Sequence, residues 1–221
     1  MVDITIIVEG GAYTENAAKT VTQNTESLRR SLHRIFKAAL GDEIGITVIM
    51  STSNRNSVNQ FLSAHNSETY LFTDLDGDCS TIKLFYDKLE NIEGKSHITV
   101  PNESKERIFF MIQQMEAWIL SQPNAIEKWG AYEQYIRKHK ETAISDHKLL
   151  KGKHVENIKH SDEVLSTIIS HFFNYNKNGV KKKVKYGKLK TSPSLLNSLD
   201  EHLLIEQTNE IKRFINYVQS H

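Results

Sequence analysis

Three carboxylates fall within five residues in the stretch LFTDLDGDCS, residues 71–80: Asp74, Asp76 and Asp78, separated by Leu75 and Gly77. Unit charges about 4 Å apart repel by about 4 kcal/mol at an effective dielectric of about 20, so a compensating positive charge is expected nearby. A divalent cation meets that need, since magnesium takes hard oxygen ligands, keeps several waters and is satisfied by two or three carboxylates. In an extended segment, side chains at i and i+2 point the same way, which lets Asp74 and Asp76 share one ion. Another acid, Glu9, closes the apolar run VDITIIVE and precedes Gly10 and Gly11. Those glycines and Gly77 allow tight turns through which a phosphate diester can approach a metal. The plainer reading of DLDGD is a polar turn with solvated carboxylates. An EF-hand loop starting at Asp74 needs Gly at its sixth and Glu at its twelfth position. Here those positions hold Cys79 and Phe85, which excludes it.

The elements that must carry these acids are legible as alternating strands and helices. Val2–Val8, Ile44–Met50, Thr69–Thr73 and Arg107–Ile112 are short, nearly continuous apolar runs, the pattern of strands covered on both faces. Between them, Leu28, Leu32, Ile35 and Phe36 recur at helical spacing before Gly41, as do Val58, Phe61, Leu62 and His65. Ile82, Phe85, Tyr86, Leu89 and Ile92 mark a third helix stopped by Gly94, and 113–120 a fourth ended by Pro123. The alternation predicts an α/β fold with a largely parallel, Rossmann-like sheet flanked by helices. Ligands gather outside the carboxyl ends of such strands, the edge to which Glu9 and Asp74 are delivered.

From about residue 125 onward the pattern changes to helices and basic loops, with helices near 126–140, near 161–173 and two towards the C-terminus. The chain thus divides into an α/β region, 1–124, and a mainly helical, basic region, 125–221, which packs either as its own unit or on the first. Residues 177–190 hold Lys177, Lys181, Lys182, Lys183, Lys185, Lys188 and Lys190 without an acid, with Tyr175 and Tyr186 interleaved. Lysines track phosphates and aromatic rings stack on bases, so this stretch, with Arg137 and its basic neighbours, is read as a nucleic-acid contact. A solvated loop is the alternative. One lysine of the segment KLKT, Lys188 or Lys190, is expected to reach the acidic site and stabilise transition-state charge.

The 221 residues, 38% hydrophobic and 25% charged with a net charge of +1, suit a globular chain with no global message about partners. A single cysteine, Cys79, excludes an internal disulfide or cysteine-based zinc site. Its acidic neighbours should raise its pKa, against a thiolate nucleophile. The start MVDITIIVEG lacks the basic region of a signal peptide, and no apolar run approaches a membrane span of about 18 residues, so no membrane partner and a cytoplasmic location are expected. No H-E-x-x-H occurs, and His33, His65, His171 and His202 read as core-edge residues. Ser51-Thr52-Ser53 reads equally as a phosphate contact or a helix N-cap.

The ordered set IIVEGG, then LFTDLDGD, with helices between, resembles a TOPRIM domain, the fold of topoisomerases, primases and the overcoming-lysogenization-defect nucleases, over roughly residues 1–120. With QMEAWIL at 114–120 and KYGKLKT at 185–191, the whole chain also resembles uncharacterised TOPRIM-like proteins of mobile-element or phage-defence loci. The resemblance implies a Mg²⁺- or Mn²⁺-dependent nuclease acting on DNA or RNA. Glu9 then matches the general acid/base or ligand glutamate, and Asp74 and Asp76 the metal pair. Asp78 lies beyond the core motif, as a second-metal or outer ligand. Glu116 matches the glutamate of the M-E-x-W segment, the alternative being an exposed helical acid beside Trp118. No G-x-x-x-x-G-K-[ST] is present, so nucleotide-driven regulation would need a separate ATPase or another defence-system protein. LFTDLDG is also similar to the nucleophile motif of haloacid-dehalogenase-type phosphatases, but Asp78 stands where that family usually has Thr and no later acidic pair follows. A non-catalytic TOPRIM module that binds nucleic acid or docks a partner is the remaining alternative.

Overall fold

The computed structural model describes residues 2–11, 19–91, 94 and 96–221. Four strands, β1 (Val2–Glu9), β2 (Ile44–Ser51), β3 (Thr69–Asp74) and β4 (Ile108–Met111), form a sheet in the order β2-β1-β3-β4 with every pairing parallel. The chain steps outward from β1 to β2 and then crosses back to β3, so the order reverses between β1 and β3. The expected α/β architecture with a parallel sheet is therefore present.

Strand side chains alternate between faces. Ile4, Ile6, Val8, Tyr70, Phe72, Phe109 and Met111 belong to one apolar cluster. Ile7, Leu71, Ile108 and Phe110 belong to another. The second face is covered by α2 (Asn54–Ser63) and α3 (Ile82–Asn91), through Val58, Phe61, Phe85 and Leu89. Ile92, expected on the same helix as Phe85, lies outside the described residues. Ser53 caps α2, its hydroxyl accepting from Asn56 N, so the helix-start reading of Ser51–Ser53 is present.

The first face is covered by α1 (Lys19–Leu40) and by elements of the second half. A short turn, α4 (Asn102–Lys105), leads into β4, and α5 (Met115–Leu120) and α6 (Pro123–Tyr132) follow it. Pro123 opens α6 as well as ending α5, since its fixed φ and missing N–H suit the first helical position. The helix expected over 126–140 stops at Tyr132, because Gln134 takes φ 57° and the chain turns into a short strand, β5 (Ile136–Arg137). After α7 (Ser161–Phe172) come β6 (Phe173–Lys177) and β7 (Val180–Lys183), which with β5 make a three-stranded antiparallel sheet.

That sheet corrects the expectation of helices and basic loops. Asn178 and Gly179 both have positive φ, 51° and 77°, the two-residue hairpin turn that an Asn-Gly pair favours. Three helices rather than two close the chain: α8 (Lys188–Asn197), α9 (Glu201–Gln207) and α10 (Asn209–Ser220). Phe214 of α10 packs against Phe36, Tyr70, Phe72 and Phe109, with ring centroids 5.1–5.9 Å apart. Residues on both sides of position 124 thus share one core. Glu210 on the same helix accepts from Phe110 N at 2.9 Å, satisfying a backbone donor of edge strand β4. Among the described residues, no helix is long and apolar enough to cross a membrane.

Candidate active site

Parallel pairing of β1 with β3, Val8 opposite Phe72, brings the two strand ends side by side at the point where strand order reverses. Clefts for ligands in α/β sheets open at such points. Glu9 follows the odd positions of β1 towards the α2 face, and Asp74 the even positions of β3 towards α8. The two acids therefore straddle the sheet end.

Glu9 is tightly held. Its carboxylate accepts from Thr73 Oγ1 at 2.9 Å and from Asp74 N at 3.1 Å. The Asn54 amide, oriented by its surroundings with nitrogen inward, donates to both Glu9 oxygens. Burial, with the charge of Asp74 second, pushes the Glu9 carboxyl up to about 7. Beyond Glu9, Gly10 takes φ +122°, and the amides of Gly10 and Gly11 both donate to Ser51 O. A Cβ on Gly11 would lie 2.7 Å from that of Met50, and one on Gly10 3.6 Å from Lys188 Cε. The glycines thus let the turn lie flat against β2 and α8.

Asp74 is 3% exposed. One oxygen accepts from Met115 N at 2.9 Å at the start of α5, and the other pairs with Lys188 Nζ at 2.7 Å. Burial raises its pKa, with Lys188 opposing. Glu116, on α5, is fully buried. Its Oε1 accepts from Tyr186 Oη at 2.6 Å, and the Tyr186 hydroxyl also meets Ser192 Oγ at 2.6 Å. Its Oε2 has no hydrogen-bond partner, and burial raises its pKa. The reading of Glu116 as an exposed helical acid is thereby overturned.

Three largely buried carboxylates, Glu9, Asp74 and Glu116, thus gather around one ammonium. Lys188 retains 35% exposure of its side chain and interacts with all three. The donors are all hard oxygens, and one buried oxygen is left without a partner, a set that suits magnesium or manganese. Among the described residues, no three acidic, histidine or cysteine side chains stand at ion-chelating separation as arranged, with Lys188 paired to Asp74.

Several expected site residues are placed elsewhere. β3 ends at Asp74, and Asp76 takes φ 54°, so strand alternation does not carry Asp76 to the side of Asp74. Asp76 lies exposed on the rim, accepting from Gln114 Nε2 at 3.1 Å. Asp78 caps the turn at Cys79–Thr81 through Ser80, which holds its carboxyl below the usual range. Of the two KLKT lysines, Lys188 reaches the acids. Lys190, two residues along a helix, faces a different groove. Tyr186 is half-buried, with its hydroxyl turned onto Glu116. Arg137 is committed internally: it grips Glu127 at 2.6–3.0 Å and lies 4.2 Å from the Phe172 ring centroid. Lys181, Lys182, Lys183 and Lys185 are exposed. The Cys79 thiol is raised, chiefly by burial, with Asp78 a minor contributor.

Asn54, Thr73 and Ser192 carry no signal in the sequence beyond their proximity to the motifs. Tyr186 stood inside the quoted KYGKLKT, but only the fold reveals its partner.

The fold and site define an α/β protein with an acidic centre at the switch point of a parallel sheet. Residues 8–219 match the family described as a domain of unknown function, DUF4276, and the chain belongs to it. No curated protein and no solved structure matches the chain.

Proposed function

We propose that the protein is a metal-dependent nuclease or phosphodiesterase with a TOPRIM-like site, acting on DNA or RNA. The observation that carries this reading is the cluster of Glu9, Asp74 and Glu116 around Lys188, with Glu116 Oε2 unsatisfied. Burying acids without matching cations costs several kcal/mol per ion, a cost that folds retain where the charge has a use. Asp74 and Glu116 would hold Mg²⁺ or Mn²⁺. When bound, such an ion activates water and stabilises charge on phosphate oxygens.

The chain's own groups have separable roles in this reading. Glu9, with a carboxyl near 7, is poised to accept or return a proton near neutral pH, while Asn54 and Thr73 fix its direction. Lys188 leaves Asp74 for the phosphate, placing its ammonium where negative charge grows. Tyr186 and Ser192 orient Glu116. Control of that chemistry by a separate ATPase or another defence-system protein belongs to the same proposal.

The test incubates the protein with plasmid, single-stranded DNA and RNA in Mg²⁺ or Mn²⁺. Glu9→Gln and Asp74→Asn should each lower the rate by about 100-fold or more. Cleavage by neither wild type nor variants, or equal cleavage by all, removes the nuclease reading. Turnover of a phosphate monoester through an acid-stable phospho-aspartate at Asp74 would put a phosphatase in its place.

A further inference from the structure

On the far side of α8 from the acids lies a groove of about 510 Å³ whose floor and rim combine aromatic rings with lysines. Tyr135 and Tyr175 are half-buried, packed against the core below, and their remaining surface opens into the groove. Trp129 braces Tyr135 from beneath, with ring centroids 5.2 Å apart, and its indole nitrogen donates to Ser194 Oγ at 2.9 Å. Lys177, Lys185 and Lys190 line the same groove against one acid, Glu133. The exposed lysines 181–183 of β7 extend the positive surface beyond it.

We infer that this groove seats single-stranded nucleic acid, with unpaired bases on Tyr135 and Tyr175 and the phosphates on Lys177, Lys185 and Lys190. The lysines alone would not discriminate, since single strands and duplexes both present phosphates. The tyrosines do. A duplex keeps the faces of its bases inside the stack, so rings set in a groove meet base faces only where the strand is unpaired. Tyr175 on β6 and Tyr135 just ahead of β5 are both packed on the core, so little side-chain freedom is lost on stacking. The segment 184–188 joins this groove to the acidic centre: Val184 and Lys185 line the groove, and Tyr186 and Lys188 reach Glu116 and Asp74. A strand seated here runs next over the first turn of α8 and onto the acids. The inference rests on the nuclease reading in naming its substrate as single-stranded, but binding itself is read without turnover.

The experiment measures fluorescence anisotropy of an end-labelled single strand of about a dozen nucleotides, DNA and RNA in separate arms, and of a duplex of equal length, all in EDTA. Single strands should bind at least about 10-fold tighter than the duplex, and Tyr175→Leu, which keeps apolar packing, should weaken single-strand binding by about 5- to 150-fold. Tyr175→Phe should restore it. Lys185→Glu, at an exposed position, should weaken single-strand binding and flatten its salt dependence. Equal affinity for duplex, or unchanged binding by folded Tyr175→Leu and Lys185→Glu, overturns the inference. The two readings fail separately. If wild type and Asp74→Asn bind single strands but no metal supports cleavage, the nuclease falls and the groove stands. If cleavage proceeds while the groove variants bind and cut like wild type, the groove alone falls.

Discussion

Replacing Lys188 by methionine removes the ammonium that faces three largely buried carboxylates while keeping most of the side chain's apolar length. Breaking a buried ion pair from one side costs about 3–5 kcal/mol, because the other charge stays buried and unpaired. Asp74 meets that condition with a side chain 5% exposed, but Lys188 is 35% exposed, so solvent screening trims the cost. About 2–4 kcal/mol is expected at pH about 8 in EDTA, or a melting temperature lower by about 5–15 °C for a chain of this size. The sign with pH follows from the carboxyls. Without the ammonium, the pKa values of Asp74, Glu9 and Glu116 rise further, so the loss grows as pH rises through and beyond about 7, where Glu9 titrates, and shrinks towards acid pH as the carboxyls take up protons. Two further arms identify the cause. Asp74→Asn in the Lys188→Met background should recover much of the loss, since a neutral amide needs no cation. Millimolar Mn²⁺ should raise the melting temperature of Lys188→Met more than that of wild type, because a cation then takes the place of the ammonium. A Lys188→Met protein as stable as wild type at alkaline pH would refute the charge argument. So would a loss that is the same at acid and alkaline pH.

The remaining expectations concern neighbouring links. Lifting the Glu9 carboxyl from 4.5 to about 7 means the folded state holds a proton that the unfolded chain releases. Stability without metal should therefore fall by on the order of 3 kcal/mol as pH rises from about 4.5 to about 7, and Glu9→Gln should flatten that slope in denaturant titrations. Gly10→Ala forces φ +122° on a residue with a Cβ that would face Lys188, so a loss of about 1–3 kcal/mol is expected; equal melting curves would show that the turn relaxes freely. Phe214→Ala should cost about 3–5 kcal/mol and leave a single cooperative transition, since α10 and the sheet share a core. Two separated transitions would show that the halves melt independently.

Strands β1–β4 were legible because each is a short β-branched or aromatic run, β1–β3 also ending at Gly, Ser or Asp, a pattern that local sequence carries by itself. The same holds for α1, α2, α3 and α7, whose apolar spacing repeats every three or four residues. The strands after Tyr132 were not: they are two to five residues long, too short for periodicity to register. The Asn-Gly signal at 178–179 sat beside a lysine run that reads as a loop. At the site, strand order delivered Glu9 and Asp74 to one edge, and that followed from alternation alone. The fate of Asp76 and Asp78 did not, because it depends on where β3 ends and on a positive φ at Asp76. Sequence by itself therefore determined which acids reach the end of the sheet. Only the tertiary structure decided what surrounds them, since Lys188 and Tyr186 stand 114 and 70 residues from Asp74 and Glu116 and meet them through the packing of α8 against α1.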